Sequence, residues 1–190
     1  LTKRLEPIAR RIFADPKVEP ATHTFSHPFF WEPEKASQRE GFTAEYGMNM
    51  AIPNYPTMNL EREIVGSRDY IQRELLPAGK QVRLIFWSGE ALPSAEAIGM
   101  AYAAGMANVN GAETFITRAN PSLTGLYPLL RPTSGGLQIY APIINENLYT
   151  NLWTGPFYGF ERVLDTFELT DSPRRLRGLN LYYHFYSGTK

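Results

Sequence analysis

Apolar and polar positions along the chain fall into short helical and extended runs. In residues 5–13, Leu5, Ile8, Ile12 and Phe13 recur among Arg and Glu at helical spacing, and Asp15-Pro16 closes the run. Proline inside a helix removes a backbone hydrogen bond and disfavours helical backbone at the residue before it. Residues 18–23 predict a strand that leads into Thr22-His23-Thr24-Phe25-Ser26-His27-Pro28. Residues 28–58 are rich in Pro, aromatics and Met without a period, so they read as a long irregular connection; such loops, when ordered, are often functional. Leu60, Ile64, Ile71 and Leu75 mark one face of a helix over 60–76, with Asn59 as its cap and Pro77 and Gly79 as its stop. Residues 82–87 are nearly all apolar, as in a strand buried on both faces. Ser94 caps a helix over 95–104 closed by Gly105, and 107–110 predicts the next strand. Strand, helix and strand in that order predict a parallel pair with a crossover.

Further along, 121–136 carries turn chemistry, 137–144 predicts a strand, 160–167 a short helix and 179–185 a last strand. This alternation of β and α elements makes the fold class α/β. No repeat, low-complexity tract or linker divides the chain, so residues 1–190 read as a single domain.

Composition narrows the partners. The chain has 19 basic and 19 acidic residues, a net charge of zero, and no run of either sign. Phosphate contact needs clustered Lys and Arg, so nucleic acid is not the expected partner. No apolar run reaches membrane-spanning length. There is no cysteine, which leaves His, Asp, Glu or water to bind any metal. The chain opens on Leu1 with an amphipathic segment and no signal-peptide pattern, so it reads as cut from something longer.

All three histidines sit in two short motifs: His23 and His27 in the first, and His184 in Leu181-Tyr182-Tyr183-His184-Phe185-Tyr186-Ser187-Gly188. Spacing of four brings His23 and His27 to one side, and Phe25 between them is expected to turn into the core. Imidazole is the commonest zinc ligand, so the pair predicts a metal site; the plain alternative is two surface or capping histidines. A zinc-protease helix is not expected, because Thr24 stands where its general-base Glu belongs. His184 alone is either an ordinary core or edge residue or a group at the C-terminal end of the sheet. In Phe86-Trp87-Ser88-Gly89-Glu90, Trp87 could stack on a sugar while Glu90 bonds hydroxyls, or Trp87 could be core and Glu90 solvated. Asn108 and Asn110, at the end of the next strand, pose the same choice.

In order, these pieces resemble the polysaccharide deacetylases with the NodB-type homology domain, carbohydrate esterase family four in the broad sense. His23, Thr24 and His27 match every defined position of that family's His-[Ser/Thr]-x-x-His motif, and His184 fits its C-terminal histidine motif. The wording around both motifs looks most like the deacetylase domain of Pel exopolysaccharide proteins. The resemblance spans nearly the whole chain. It implies a distorted (β/α) barrel and metal-dependent N-deacetylation of an N-acetylated exopolysaccharide. His23 and His27 would bind a divalent metal, zinc foremost, and His184 would be the general acid. Trp31, Trp87, Tyr182 and Tyr183 would wall the sugar and Glu90 would contact it. A periplasmic or secreted location, with other exopolysaccharide export proteins as partners, is implied as well.

Three departures accompany the match. The family's Thr-Phe-Asp-Asp motif, source of the catalytic base and third ligand, is absent, and Asp15 lies too near His23 to replace it. Its Arg-Pro-Pro-Tyr is replaced by Phe86-Trp87-Ser88-Gly89-Glu90, and its Asp-Trp by Asn108-Val109-Asn110-Gly111. The missing aspartates are therefore expected upstream of Leu1, and the chain alone is expected to hydrolyse poorly. The rival readings are a non-catalytic carbohydrate-binding or assembly module derived from the same fold, and a structural α/β domain whose histidines bind nothing.

Overall fold

The computed structural model describes residues 2–32, 52–111, 116–119, 121–123, 129–141, 144–145, 163–176 and 181–182. The chain divides into two compact units, Leu1–Val109 with Pro132–Gln138, and Asn110–Arg131 with Ile139–Lys190.

In the first unit α1 spans Thr2–Ala14. Its apolar stripe is only half covered, with Leu5, Ile8 and Ile12 about half exposed. The helix end is held by Lys80, whose Nζ donates to the carbonyls of Phe13, Asp15 and Val18. The strand expected over 18–23 shrinks to a single parallel bridge between Thr22 and Ile85. Pro20 has no N–H to pair, and Thr24 turns left-handed at φ 73°, so the chain cannot stay extended on either side.

Helix α2 is built from π-helical Arg62–Gly66, α-helical Ser67–Tyr70 and π-helical Ile71–Leu75. Asn59 caps it as expected, its Oδ1 accepting Arg62 N at 2.8 Å. The interior face carries Ile64, but also Glu63 and Ser67. Strand β1 is Leu84–Phe86. Its burial is one-sided, contrary to expectation: Ile85 and the following Trp87 are buried, while Leu84 and Phe86 are half-buried.

Helix α3, Ala95–Ala103, begins with Ser94 Oγ accepting Ala97 N at 3.1 Å. It ends with Gly105 at φ 75°, where Gly105 N donates to Tyr102 O and Met106 N to Ala101 O. That double closure requires the left-handed backbone glycine adopts freely. Strand β2, Ala107–Gly111, pairs parallel with β1, Leu84 opposite Ala107 and Phe86 opposite Val109. The expected βαβ unit is present.

Strand β3, Leu129–Thr133, lies inside the stretch read as turns. Pro132 obscured it; β3 is an edge strand of the sheet order β1-β2-β4-β3, where proline is tolerated. A two-residue turn joins it to β4, Gly136–Ala141, so the two run antiparallel. A Cβ on Gly135 would sit 1.7 Å from Ala95 O, so only glycine lets this turn reach the start of α3. Trp31, Trp87, Ile64, Ile85, Ile98 and Met106 centre the core.

In the second unit the strand expected over 137–144 separates into the end of β4 and β5, Ile144–Asn145. Strand β5 pairs parallel with β6, Leu181–Tyr182. Helix α4 is Val163–Leu169, two residues past the expected end at 167; residues 160–162 lie outside the described residues. Thr166 Oγ1 anchors it by donating to Ile116 O at 2.6 Å, and Arg118 pairs with Glu168 at 2.7 Å. Mixed strands and helices make the class α/β. Among the described residues no helix is long and apolar enough to cross a membrane.

Candidate metal centre

The histidine motif forms a loop at the carboxyl end of β1. Thr22 pairs along the free side of that strand, Thr22 N donating to Leu84 O at 3.0 Å and Phe86 N to Thr22 O at 2.9 Å. His23 therefore arrives beside Phe86, where ligand sites of parallel α/β sheets collect. Thr24 and His27 then both take left-handed backbone, at φ 73° and 56°. Such residues cost of order 1–3 kcal/mol each and persist only where surroundings impose them. Here Thr24 N donates to Thr22 Oγ1 and His27 N to Thr24 Oγ1.

Both turns bring the two rings together, centroids 4.8 Å apart and edge-to-face at 76°. Two imidazoles on one tetrahedral ion, each nitrogen about 2.0 Å from it, would have centroids about 5 Å apart. The spacing of four delivers the expected juxtaposition, though through a tight loop instead of a helix or strand. His23 Nδ1 lies 2.8 Å from Phe86 O. A carbonyl only accepts, so Nδ1 carries the hydrogen, and the neutral ring keeps its lone pair on Nε2. Metal-binding histidines are oriented in this way by a carbonyl behind the ring. Among the described residues no group of three or more His, Asp or Glu gathers. Two imidazoles are one fewer than the three protein donors a catalytic zinc site uses.

Beneath the loop lies Glu63, fully buried, a residue the sequence reading did not single out. Its Oε2 accepts Phe25 N at 2.9 Å and Ser26 N at 2.8 Å; its Oε1 accepts the hydroxyls of Ser26 and Tyr55. Four donors match the acceptor capacity of a carboxylate. One helical turn on, Ser67 Oγ meets Thr22 Oγ1 at 2.6 Å. A signal for this grip was available: Ser67 interrupts the apolar stripe of Leu60, Ile64, Ile71 and Leu75, and Glu63 abuts Ile64. Phe25 does not enter the core as expected. It is half-buried, edge-on to Tyr55 at 5.2 Å, with the Arg62 guanidinium 4.2 Å above its ring. Burial chiefly raises the Tyr55 phenol above its ordinary pKa; the bond to the Asn59 backbone opposes this, and Glu63 adds to it.

The aromatic residues beyond the loop are placed differently from a sugar-facing wall. Trp31 and Trp87 are each 2% exposed, with rings 4.9 Å apart edge-to-face. Trp31 Nε1 donates to Ser88 O and Trp87 Nε1 to Asn108 Oδ1. Stacking on a pyranose needs an open ring face, and neither has one here. Both serve the core, the alternative already noted for Trp87, and Asn108 completes that core by donating to Leu137 O. Glu90 is half-buried and its backbone N donates to Phe29 O at 2.9 Å. Gly89, at φ 61°, lies so close that an added Cβ would be 2.3 Å from Phe29 Cα. Phe86-Trp87-Ser88-Gly89-Glu90 thus clamps the chain that leaves the histidine loop. Tyr182 lies in β6 opposite Asn145. Tyr183 and His184 lie outside the described residues.

No family model, curated protein or solved structure matches this chain.

Proposed function

We propose that the protein is the metal-binding part of a polysaccharide N-deacetylase, acting on N-acetylated amino-sugar polymers. The observation that carries the reading is the His23–His27 pair at the end of β1, with His23 Nδ1 donating to the Phe86 carbonyl. The sequence resemblance supplies the reaction class and, with it, a distorted (β/α) barrel around the described α/β elements.

His23 and His27 would hold the ion, zinc foremost, with Phe86 O fixing the ring of His23. A divalent ion held by His23 and His27 would supply an activated water and polarise the acetamide carbonyl. His184, placed by its motif alone, would protonate the leaving sugar amine. The resemblance assigns the catalytic base and a third donor to the aspartates of its Thr-Phe-Asp-Asp motif, which this sequence does not contain. Periplasmic or secreted location and association with exopolysaccharide export proteins belong to the same reading.

Zinc titration followed by elemental analysis of the purified chain tests it. The parent is expected to bind zinc, and His23→Ala and His27→Ala to lose it. Variants that retain the parent's metal content would remove the ligand assignment. In a longer protein with its own base, His184→Ala should keep the metal while turnover falls about 100- to 10,000-fold.

A further inference from the structure

We infer that Glu63 is the positioning residue of the histidine pair, an inference that rests on reading His23 and His27 as metal donors. After Thr22 the loop has no strand pairing to hold it, and it contains two left-handed residues. The Phe25 and Ser26 N–H groups lie between the histidines and point down at one carboxylate. Were that carboxylate withdrawn, two amide donors would lose their partner in a largely buried setting, and the loop would reorganise to satisfy them.

An amphipathic helix gains nothing from a buried carboxylate in packing terms, because desolvation opposes it. What Glu63 gives instead is position. It lies in the π-helical turn Arg62–Gly66, and such turns recur at functional sites. With Ser67 one turn on gripping Thr22, α2 holds the motif at both ends of the segment that sets the ring spacing. Tyr55 donates to Glu63 Oε1, which steadies the carboxylate from the side away from the backbone donors. Glu63 touches neither imidazole through any of these bonds, so it acts through the loop.

The experiment uses the whole 190-residue chain and two readouts. The first is nuclear cross-relaxation between the His23 and His27 ring protons in metal-free protein, which needs no ion. The second is zinc affinity. Glu63→Ala is expected to abolish the ring contact and weaken zinc binding about 10- to 100-fold, the usual loss when a residue supporting a ligand is removed. Glu63→Gln is expected to rescue both. Its amide oxygen can face the two N–H groups, while its NH2 faces the Ser26 and Tyr55 hydroxyls, which rotate to accept. A stabilising role alone would lower the melting temperature of Glu63→Ala and leave both readouts of the folded molecules intact, which overturns the proposal. If that variant does not fold, the pair Ser26→Ala with Tyr55→Phe removes only two hydroxyls. It should weaken zinc binding by a smaller factor, and unchanged binding and ring contact in it overturn the proposal. If the parent binds no zinc, the metal reading falls by itself, and the ring contact still decides the role of Glu63.

Discussion

Between β1 and β2 the register is set by backbone pairing, and α3 closes the crossover with a side-chain cap at one end and a double backbone closure at the other. The histidine loop shares β1 with that unit, yet after Thr22 it is held by side chains: Glu63, Ser67, Thr22 and Thr24. One region is specified locally and buries apolar surface. The other is specified by residues about 40 positions away and buries polar groups that must all be satisfied. A rigid parallel pair can therefore carry a strained loop whose shape its own hydroxyls and a distant carboxylate impose together.

The largest effect is expected where the two regions meet. Gly89→Ala would drive a Cβ into the Phe29 backbone at a left-handed position, and denaturant unfolding should show a loss above about 4 kcal/mol. Ile98→Ala opens a cavity under the βαβ unit, at a site fully buried in the core that α3 shares with α2. It should cost about 3 kcal/mol in the same assay while zinc affinity of the folded molecules stays at the parent value. A matching fall in affinity would show that the two regions are not held by separate means. Ser94→Ala removes one cap from α3 and should cost about 1 kcal/mol, read as a small shift in unfolding midpoint.

Tyr55→Phe probes the loop and is expected to be mildest, about 0.5–1 kcal/mol at neutral pH. Burial raises the folded-state pKa of Tyr55, so its contribution is complete below the unfolded value, near 10, and fades as pH rises through the folded one. The gap between parent and variant should therefore narrow between pH 9 and pH 11 in paired unfolding curves (both about one unit from the ordinary phenol value). A gap that widens there would mean the phenol does not serve Glu63 as a neutral donor.

Legibility followed the same division. Asn59, Ser94 and Gly105 announced helix ends because capping chemistry is local, and the βαβ order followed from period and punctuation. The His23–His27 pair was legible from spacing, although the backbone that delivers it was not. Thr24 and His27 are poor markers of left-handed backbone, and nothing near them in sequence names Glu63 as their anchor. The indoles of Trp31 and Trp87 illustrate the converse. An aromatic beside a candidate site reads equally as wall or core, and only their mutual contact and their bonds to Ser88 and Asn108 decide it. β3 was missed because Pro132 reads as turn until its edge position is known.

Lys80 illustrates how little formal charge says about a residue's task. Its ammonium meets three carbonyls, from Phe13, Asp15 and Val18, on the segment that leaves α1. Three convergent acceptors suit the three hydrogens of a compact tetrahedral cation, whereas a guanidinium presents a flat fork of larger span. Sequence comparison would treat arginine there as equivalent, and shape makes it a different residue. The site selects geometry first and positive charge second, so one amine stitches the entry helix to the turn before β1.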